Sequence, residues 1–197
     1  MSSAAVRQAA ETDAGELSRM LARAFHDDPV MAWLFPDETR RPRGTERFFR
    51  AYLRRLLPQD EIYTTPDRAG AALWALPDRW RTSVRELIRQ APLMPMFGRR
   101  LPTVLYGLHV IESHHPREPH HYLAVLGTDP ERQGEGVGSR LMGPVLEDCD
   151  ANEVPAFLES SKESNIAFYS RHGFKVTGEV HLPRGPTIWP MWRDPRP

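Results

Sequence analysis

Gln133-Gly134-Glu135-Gly136-Val137-Gly138-Ser139 puts glycine at every second position of a short stretch, and the reading of that stretch decides the fold. Glycine takes positive φ without a steric penalty and leaves no Cβ between its NH and a ligand, so this spacing describes a loop that wraps an anion. Val137, Leu141, Met142, Val145, Leu146 and Cys149 then recur on one face of a helix. The loop therefore opens onto a helix N-terminus, where unpaired NH groups and the macrodipole favour negative charge. A diphosphate is the expected guest.

Elimination narrows the choice of diphosphate. A P-loop needs Lys and then Ser or Thr after its last glycine, whereas Gly138 is followed by Ser139 and Arg140. A dinucleotide fingerprint needs its first glycine directly after the strand, and here Asp129-Pro130-Glu131-Arg132-Gln133 intervenes. Its third glycine, or an alanine, should stand where Ser139 does. Glu159 does end a later strand, where a ribose-binding acid would sit, so the loop alone leaves open a dinucleotide site and a plain glycine-rich turn.

A second motif follows downstream: Asn165-Ile166-Ala167-Phe168-Tyr169-Ser170-Arg171-His172-Gly173-Phe174, a short helix ending at a glycine cap and running into a strand. Gln133-x-x-Gly136-x-Gly138, followed by this segment, resembles the GNAT superfamily of N-acetyltransferases. Segments 70–77, 118–124, 154–159 and 180–186 are similar to its puromycin N-acetyltransferase-like members. The resemblance implies an α/β fold with a mixed, mostly antiparallel central sheet flanked by helices. It implies one domain over 1–197, with an acetyl-CoA half at about 118–197 and acceptor-shaping helices at about 26–58 and 80–115.

The resemblance also implies roles. Backbone groups of Leu126, Gly127 and Thr128 should pair with the pantetheine arm of acetyl-CoA as if it were another strand, with a bulge at Gly127. Gln133, Gly134, Glu135, Gly136, Val137, Gly138 and Ser139 should hold the pyrophosphate, Asn165 the pantetheine carbonyls, and Arg171 the adenosine phosphate, with Phe168 beside them. Glu135 departs from the pattern, since a base often stands there, but Arg132 and Arg140 flank it. Tyr169 is the expected general acid, because a phenol remains protonated at neutral pH and can donate to a departing thiolate. Glu159, His120 and His121 are the candidates for general base, and Glu159 has a structural alternative as a carboxylate that fixes the Ser160-Ser161 loop. No metal is expected: the histidine pairs 114–115 and 120–121 lack a His-Glu-x-x-His arrangement and a cysteine pair.

The expected acceptor is the primary amine of a small molecule, such as a puromycin-like antibiotic or another xenobiotic, with antibiotic resistance as the implied biology. Trp33, Phe35, Trp74 and Trp80 either line an aromatic pocket for it or pack in the core. A peptide or polyamine acceptor and a non-catalytic CoA-binding sensor are the alternatives. With 26 acidic and 26 Lys or Arg side chains in 197 residues, no nucleic-acid partner is expected. No apolar run is long enough for a membrane span, the first ten residues lack an apolar signal core, and Cys149 is alone, so a cytoplasmic protein is expected. Monomer and homodimer both remain open.

Periodicity predicts a helix from Thr12 or Asp13 with Leu17, Met20, Leu21, Ala24 and Phe25 inward, capped with help from Glu16. A second follows the turn-rich 36–44 segment with Phe48, Phe49, Tyr52, Leu53, Leu56 and Leu57 inward. Residues 62–65 and 71–76 read as a hairpin. Two helices fill 80–111, one with Val84, Leu87, Ile88 and Ala91 inward, the other with Leu101, Val104, Leu105, Leu108 and Ile111. Further strands are expected at 122–128, 155–159, 174–180 and 187–192, and Gly143-Pro144 should kink or shorten the helix after the glycine loop.

Overall fold

The computed structural model describes residues 5–59, 61–77, 79 and 91–196. Its helices are α1 (Ala14–Ala24), α2 (Pro29–Leu34), α3 (Arg41–Leu56), α4 (Leu101–Ser113), α5 (Val137–Ala151) and α6 (Ile166–Arg171). Its strands are β1 (Arg7–Gln8), β2 (Ile62–Thr64), β3 (Gly70–Ala75), β4 (His121–Thr128), β5 (Ala156–Ser160), β6 (Lys175–Val176), β7 (Val180–His181) and β8 (Thr187–Arg193). They form a sheet in the order β1-β2-β3-β4-β5-β8-β6, with β7 also paired to β8. Each pair is antiparallel except β4 with β5. This is the mixed, mostly antiparallel architecture that the sequence implies.

Two apolar layers cover the sheet. Leu17, Leu21, Phe49 and Leu53 bury one helical layer against Leu73 and Val125. Leu141, Val145 and Cys149 of α5 bury the other against Ala72, Trp74, Leu123 and Leu158. The stripe on α5 outweighs the cost of an interior proline, about 3 kcal/mol, so the helix runs on through Pro144 to Ala151 and is not shortened.

One irregularity in β4 opens the sheet. Leu73 faces Val125 while Trp74 faces Leu123, so Ala124 is an extra residue on β4. Such a bulge bends the strand and increases its twist. Tyr122 and Val125 consequently face the α1–α3 layer, and Leu123 and Leu126 face α5. The parallel pairing of β4 with β5 stops at Leu123 and Leu158. Beyond it the strands part.

The bulge thus falls at Ala124, and Gly127, where it was expected, keeps a regular partner in Ala71. Gly127 is needed for a different reason: a Cβ there would lie 2.6 Å from Leu21 Cδ2 and 3.0 Å from Phe25 Cε2. Other local expectations also change. Periodicity gives no helix between the first two, yet Asp28 caps α2 there and Pro29 occupies its first turn. Glu16 does not cap α1; it pairs with Arg68, and Asp13 accepts from the Ala10 NH at 2.9 Å. The expected strand at 174–180 divides into β6 and β7. On α4, Val104 is buried, but Leu105 and Leu108 are exposed at 42% and 47% and do not face inward. Val84, Leu87, Ile88 and Trp80 lie outside the described residues.

Candidate active site

The gap between the parted ends of β4 and β5 is a cleft of about 620 Å³. One wall is residues 123–128 of β4, and the other is Leu158, Glu159, Ser160 and Ser161. The Asp129 NH donates to the Ala69 carbonyl at 2.8 Å, which fixes the alternation of the β3–β4 ladder. By that alternation the peptide groups of Gly127 are used by β3, while those of Leu126 and Thr128 turn to the cleft. An open strand edge of this kind accepts an extended ligand as a further strand.

The glycine loop closes one end. Gly134 and Gly136 hold φ of +83° and +73°, and Gly136 is the residue before the first turn of α5. Among the described residues no acceptor within the chain takes the NH groups of residues 134–139, so they form a cradle for an anion. Gly138 is helical; a Cβ on it would stand 3.2 Å from Phe168 Cζ, so glycine lets that ring seat against the helix start. Gln133 Nε2 donates to the Thr128 carbonyl at 3.4 Å and ties the loop to β4. Glu135 points away into ion pairing with Arg132 Nε at 2.8 Å, and Arg132 also grips Asp67. Arg140 Nη1 donates to the Glu135 carbonyl at 2.9 Å. The acid is thereby neutralised beside the loop.

The second motif supplies the opposite rim. Asn165 ends a 3-10 turn at the start of α6, and α6 closes at Gly173, with φ of +94° and the Phe174 NH donating to the Tyr169 carbonyl. Asn165, Phe168, Tyr169 and Arg171 all line the cleft, with the Arg171 guanidinium 5.7 Å from the Phe168 ring centre. Burial and the nearby Asp28 carboxylate push the Tyr169 phenol well above its ordinary value, so it stays protonated. His172 Nε2 lies 2.9 Å from Ser139 Oγ and joins α6 to the glycine loop.

Asp28 is the cleft residue that sequence reading missed. Its Oδ1 accepts from the NH groups of Val30 and Met31, both at 2.9 Å, and its Oδ2 from the Ser161 hydroxyl. It is buried and lines the cleft, and burial pushes its carboxyl up despite those donors. An Asp-Pro pair reads as a helix start, which Asp28 also is, so nothing in the sequence separates the two uses.

Of the three candidates for a base, the structure brings only Glu159 to the cleft. His120 is fully buried, and His121 faces α5, 3.5 Å from Asp148. Three of the four aromatic residues considered for an acceptor wall are core: Trp74 is fully buried, Phe35 stacks on Phe97, and Trp33 donates to the Pro183 carbonyl at 3.1 Å.

A sheet split beside a helix N-terminus, with a protonated phenol and two carboxylates in the split, is an arrangement suited to an extended, anionic ligand. Residues 105–194 match the acetyltransferase (GNAT) domain family, and they include most of the residues that line the cleft. An uncharacterized N-acetyltransferase of Schizosaccharomyces pombe is 26% identical over 195 residues, covering 91% of this chain and 78% of its own. Two solved structures share the fold. One is a Corynebacterium glutamicum protein described as histone acetyltransferase HPA2 and related acetyltransferase (TM-score 0.66, 20% identity, 98% of this chain and 97% of that one). The other is a Drosophila melanogaster polyamine N-acetyltransferase (TM-score 0.67, 15% identity, 96% and 98%). The protein is an acyl-CoA-dependent N-acetyltransferase. Among the described residues no helix is long and apolar enough to cross a membrane.

Proposed function

We propose that the protein moves the acetyl group of acetyl-CoA to the primary amine of a small molecule by direct attack, with Tyr169 as general acid and Glu159 as general base. The observation that carries this reading is the cleft itself, which places an open strand edge, an NH-lined loop, a protonated phenol and two carboxylates around one space. Leu126 and Thr128 hold the pantetheine arm, the 134–139 amides and Gln133 the pyrophosphate, and Asn165, Phe168 and Arg171 the remainder.

Glu159 takes a proton from the acceptor ammonium and leaves a neutral amine. Its nitrogen bonds to the thioester carbon, the carbonyl electron pair moves to oxygen, and on collapse the C–S bond breaks. Tyr169 gives its proton to the sulfur and recovers one from the newly acylated nitrogen. Asp28, a buried carboxyl that lines the cleft, favours a cationic acceptor.

The resemblance of segments 70–77, 118–124, 154–159 and 180–186 supports an aminoacyl nucleoside of the puromycin type as acceptor, and with it self-protection against such a compound in the cytoplasm. The Asp28 carboxylate supports a polyamine as the second choice, the class on which the Drosophila relative acts. The test is free thiol release from acetyl-CoA with puromycin, agmatine, spermidine and 2-phenylethylamine against an acceptor-free blank. Release with puromycin is expected. Release with agmatine or spermidine alone replaces the acceptor, and acetyl-CoA binding with no release from any amine replaces the enzyme by a sensor.

A further inference from the structure

Behind the cleft lies a buried chain of contacts that the mechanism above uses at one end only. Glu159 Oε1 is 3.3 Å from His115 Nδ1, His115 Nε2 is 2.9 Å from His120 Nε2, and His120 Nδ1 is 2.6 Å from the Glu118 carbonyl. Glu159 lines the cleft, both histidines are buried, and Glu118 is exposed.

The atoms dictate where the protons sit. A carbonyl only accepts, so His120 Nδ1 carries hydrogen. A neutral imidazole has one N–H, so His120 Nε2 is an acceptor and the proton of the 2.9 Å contact belongs to His115 Nε2. His115 Nδ1 is then a lone pair facing the Glu159 carboxylate, across the longest of the three contacts. Two protons fill the two short links. The third link is made only when one more proton arrives, on Glu159 or on His115. The opposite tautomer, with His115 Nδ1–H toward Glu159, sets two nitrogen lone pairs against each other at 2.9 Å unless His120 is a cation.

We propose that Glu159, His115 and His120 form a receptor for a single proton, loaded from the acceptor ammonium through Glu159. This rests on the acetyl-transfer reading above and extends it: His115 and His120 are positioning residues that act through Glu159. In the loading step an ammonium N–H bond breaks with its electron pair left on nitrogen, and an O–H bond forms at Glu159. The new O–H donates to His115 Nδ1 and completes the chain, so charge repulsion is exchanged for a hydrogen bond. Tyr122 packs edge-on to His115 at 4.8 Å and interacts with Glu159, and Tyr52 and Arg55 of α3 act on the same phenol. Phe157 packs 4.8 Å and 5.5 Å from the two imidazole rings, and Trp192 closes over His120 at 5.5 Å. These neighbours bury the rings, and of the three side chains in the chain of contacts Glu159 is the one that lines the cleft.

Two measurements on the full chain test this. Long-range nitrogen–proton NMR of the histidine rings needs no acceptor. It should find hydrogen on His115 Nε2 and His120 Nδ1 at alkaline pH, and uptake of one proton at His115 Nδ1 or Glu159 on acidification, absent in Glu159→Gln. Neutral His115 carrying Nδ1–H throughout overturns the chain. In the thiol assay, using whichever amine supports wild-type release, His115→Ala should lose at least ~tenfold in kcat with KM for acetyl-CoA within about twofold. Added imidazole should restore the rate, and pyrrole, of the same shape but without a basic nitrogen, should not. A fully active variant, or equal rescue by pyrrole, overturns the proposal. A wild-type protein inactive with every amine instead removes the acetyl-transfer reading and loading from an amine with it, while the ring tautomers report separately on the chain.

Discussion

Tyr169 combines the two properties that a thiol-protonating acid needs, a place in the cleft and a proton it does not lose. Burial and Asp28 raise the phenol, and a general acid fails only as pH rises through its own pKa. No alkaline loss of kcat below about pH 10, the ordinary phenol value, should therefore trace to Tyr169. Tyr169→Phe should lower kcat by about 10²-fold or more while leaving acetyl-CoA affinity unchanged; steady-state kinetics with a binding titration check both. The place of Tyr169 in the cleft was legible because its neighbours in the motif are also its neighbours in space. Asp28 was not, because its partner Ser161 lies 133 residues away and only the fold joins them. His115 likewise meets Glu159 across 44 residues.

Elements show the same division between local and distant causes. The glycine loop and α5 follow from residues close in sequence, and the buried stripe on α5 is the one that periodicity gives. The bulge could not be placed this way, since it is a mismatch of count between β3 and β4 and no single residue encodes it. Leu105 and Leu108 share a helix face with Val104, yet which part of that face is covered depends on elements elsewhere in the chain. Two substitutions test the elements. Gly136→Ala forces a Cβ into the left-handed region at a cost of about 1 kcal/mol and should raise KM for acetyl-CoA severalfold with kcat little changed. Gly127→Ala drives a Cβ against Leu21 and Phe25 and should destabilise by about 1–3 kcal/mol in urea unfolding.

At the scale of the whole molecule, Asp13 fastens three separate parts of the chain. Its carboxylate takes Arg7 at 2.7 Å and 3.0 Å, Arg68 at 2.7 Å and the Ala10 NH at 2.9 Å, so β1, α1 and the β2–β3 turn meet on one buried side chain. The Arg7 hydrogen bonds, with Ala10 and Arg68, hold the Asp13 carboxyl far below the ordinary carboxylate range. A depressed folded value means that this stabilisation is complete above the unfolded value near ~4 and fades as pH falls toward the folded one. Asp13→Asn should cost about 2 kcal/mol at pH 7, discounted because both arginines are partly solvated. The variant should also lose less stability than the wild type between pH 5 and pH 3, within the window set near ~4; urea unfolding at each pH reads this directly.

In the proposed reading the parted edge of β4 and the glycine loop together hold acetyl-CoA. Amide hydrogen exchange with and without acetyl-CoA tests it at the level of single peptides. Protection confined to 124–128, 133–139 and 165–171 is the expected result, strongest where peptide groups turn to the cleft at Leu126 and Thr128. Saturating acetyl-CoA that protects none of these segments, or protects only a surface elsewhere, contradicts the account.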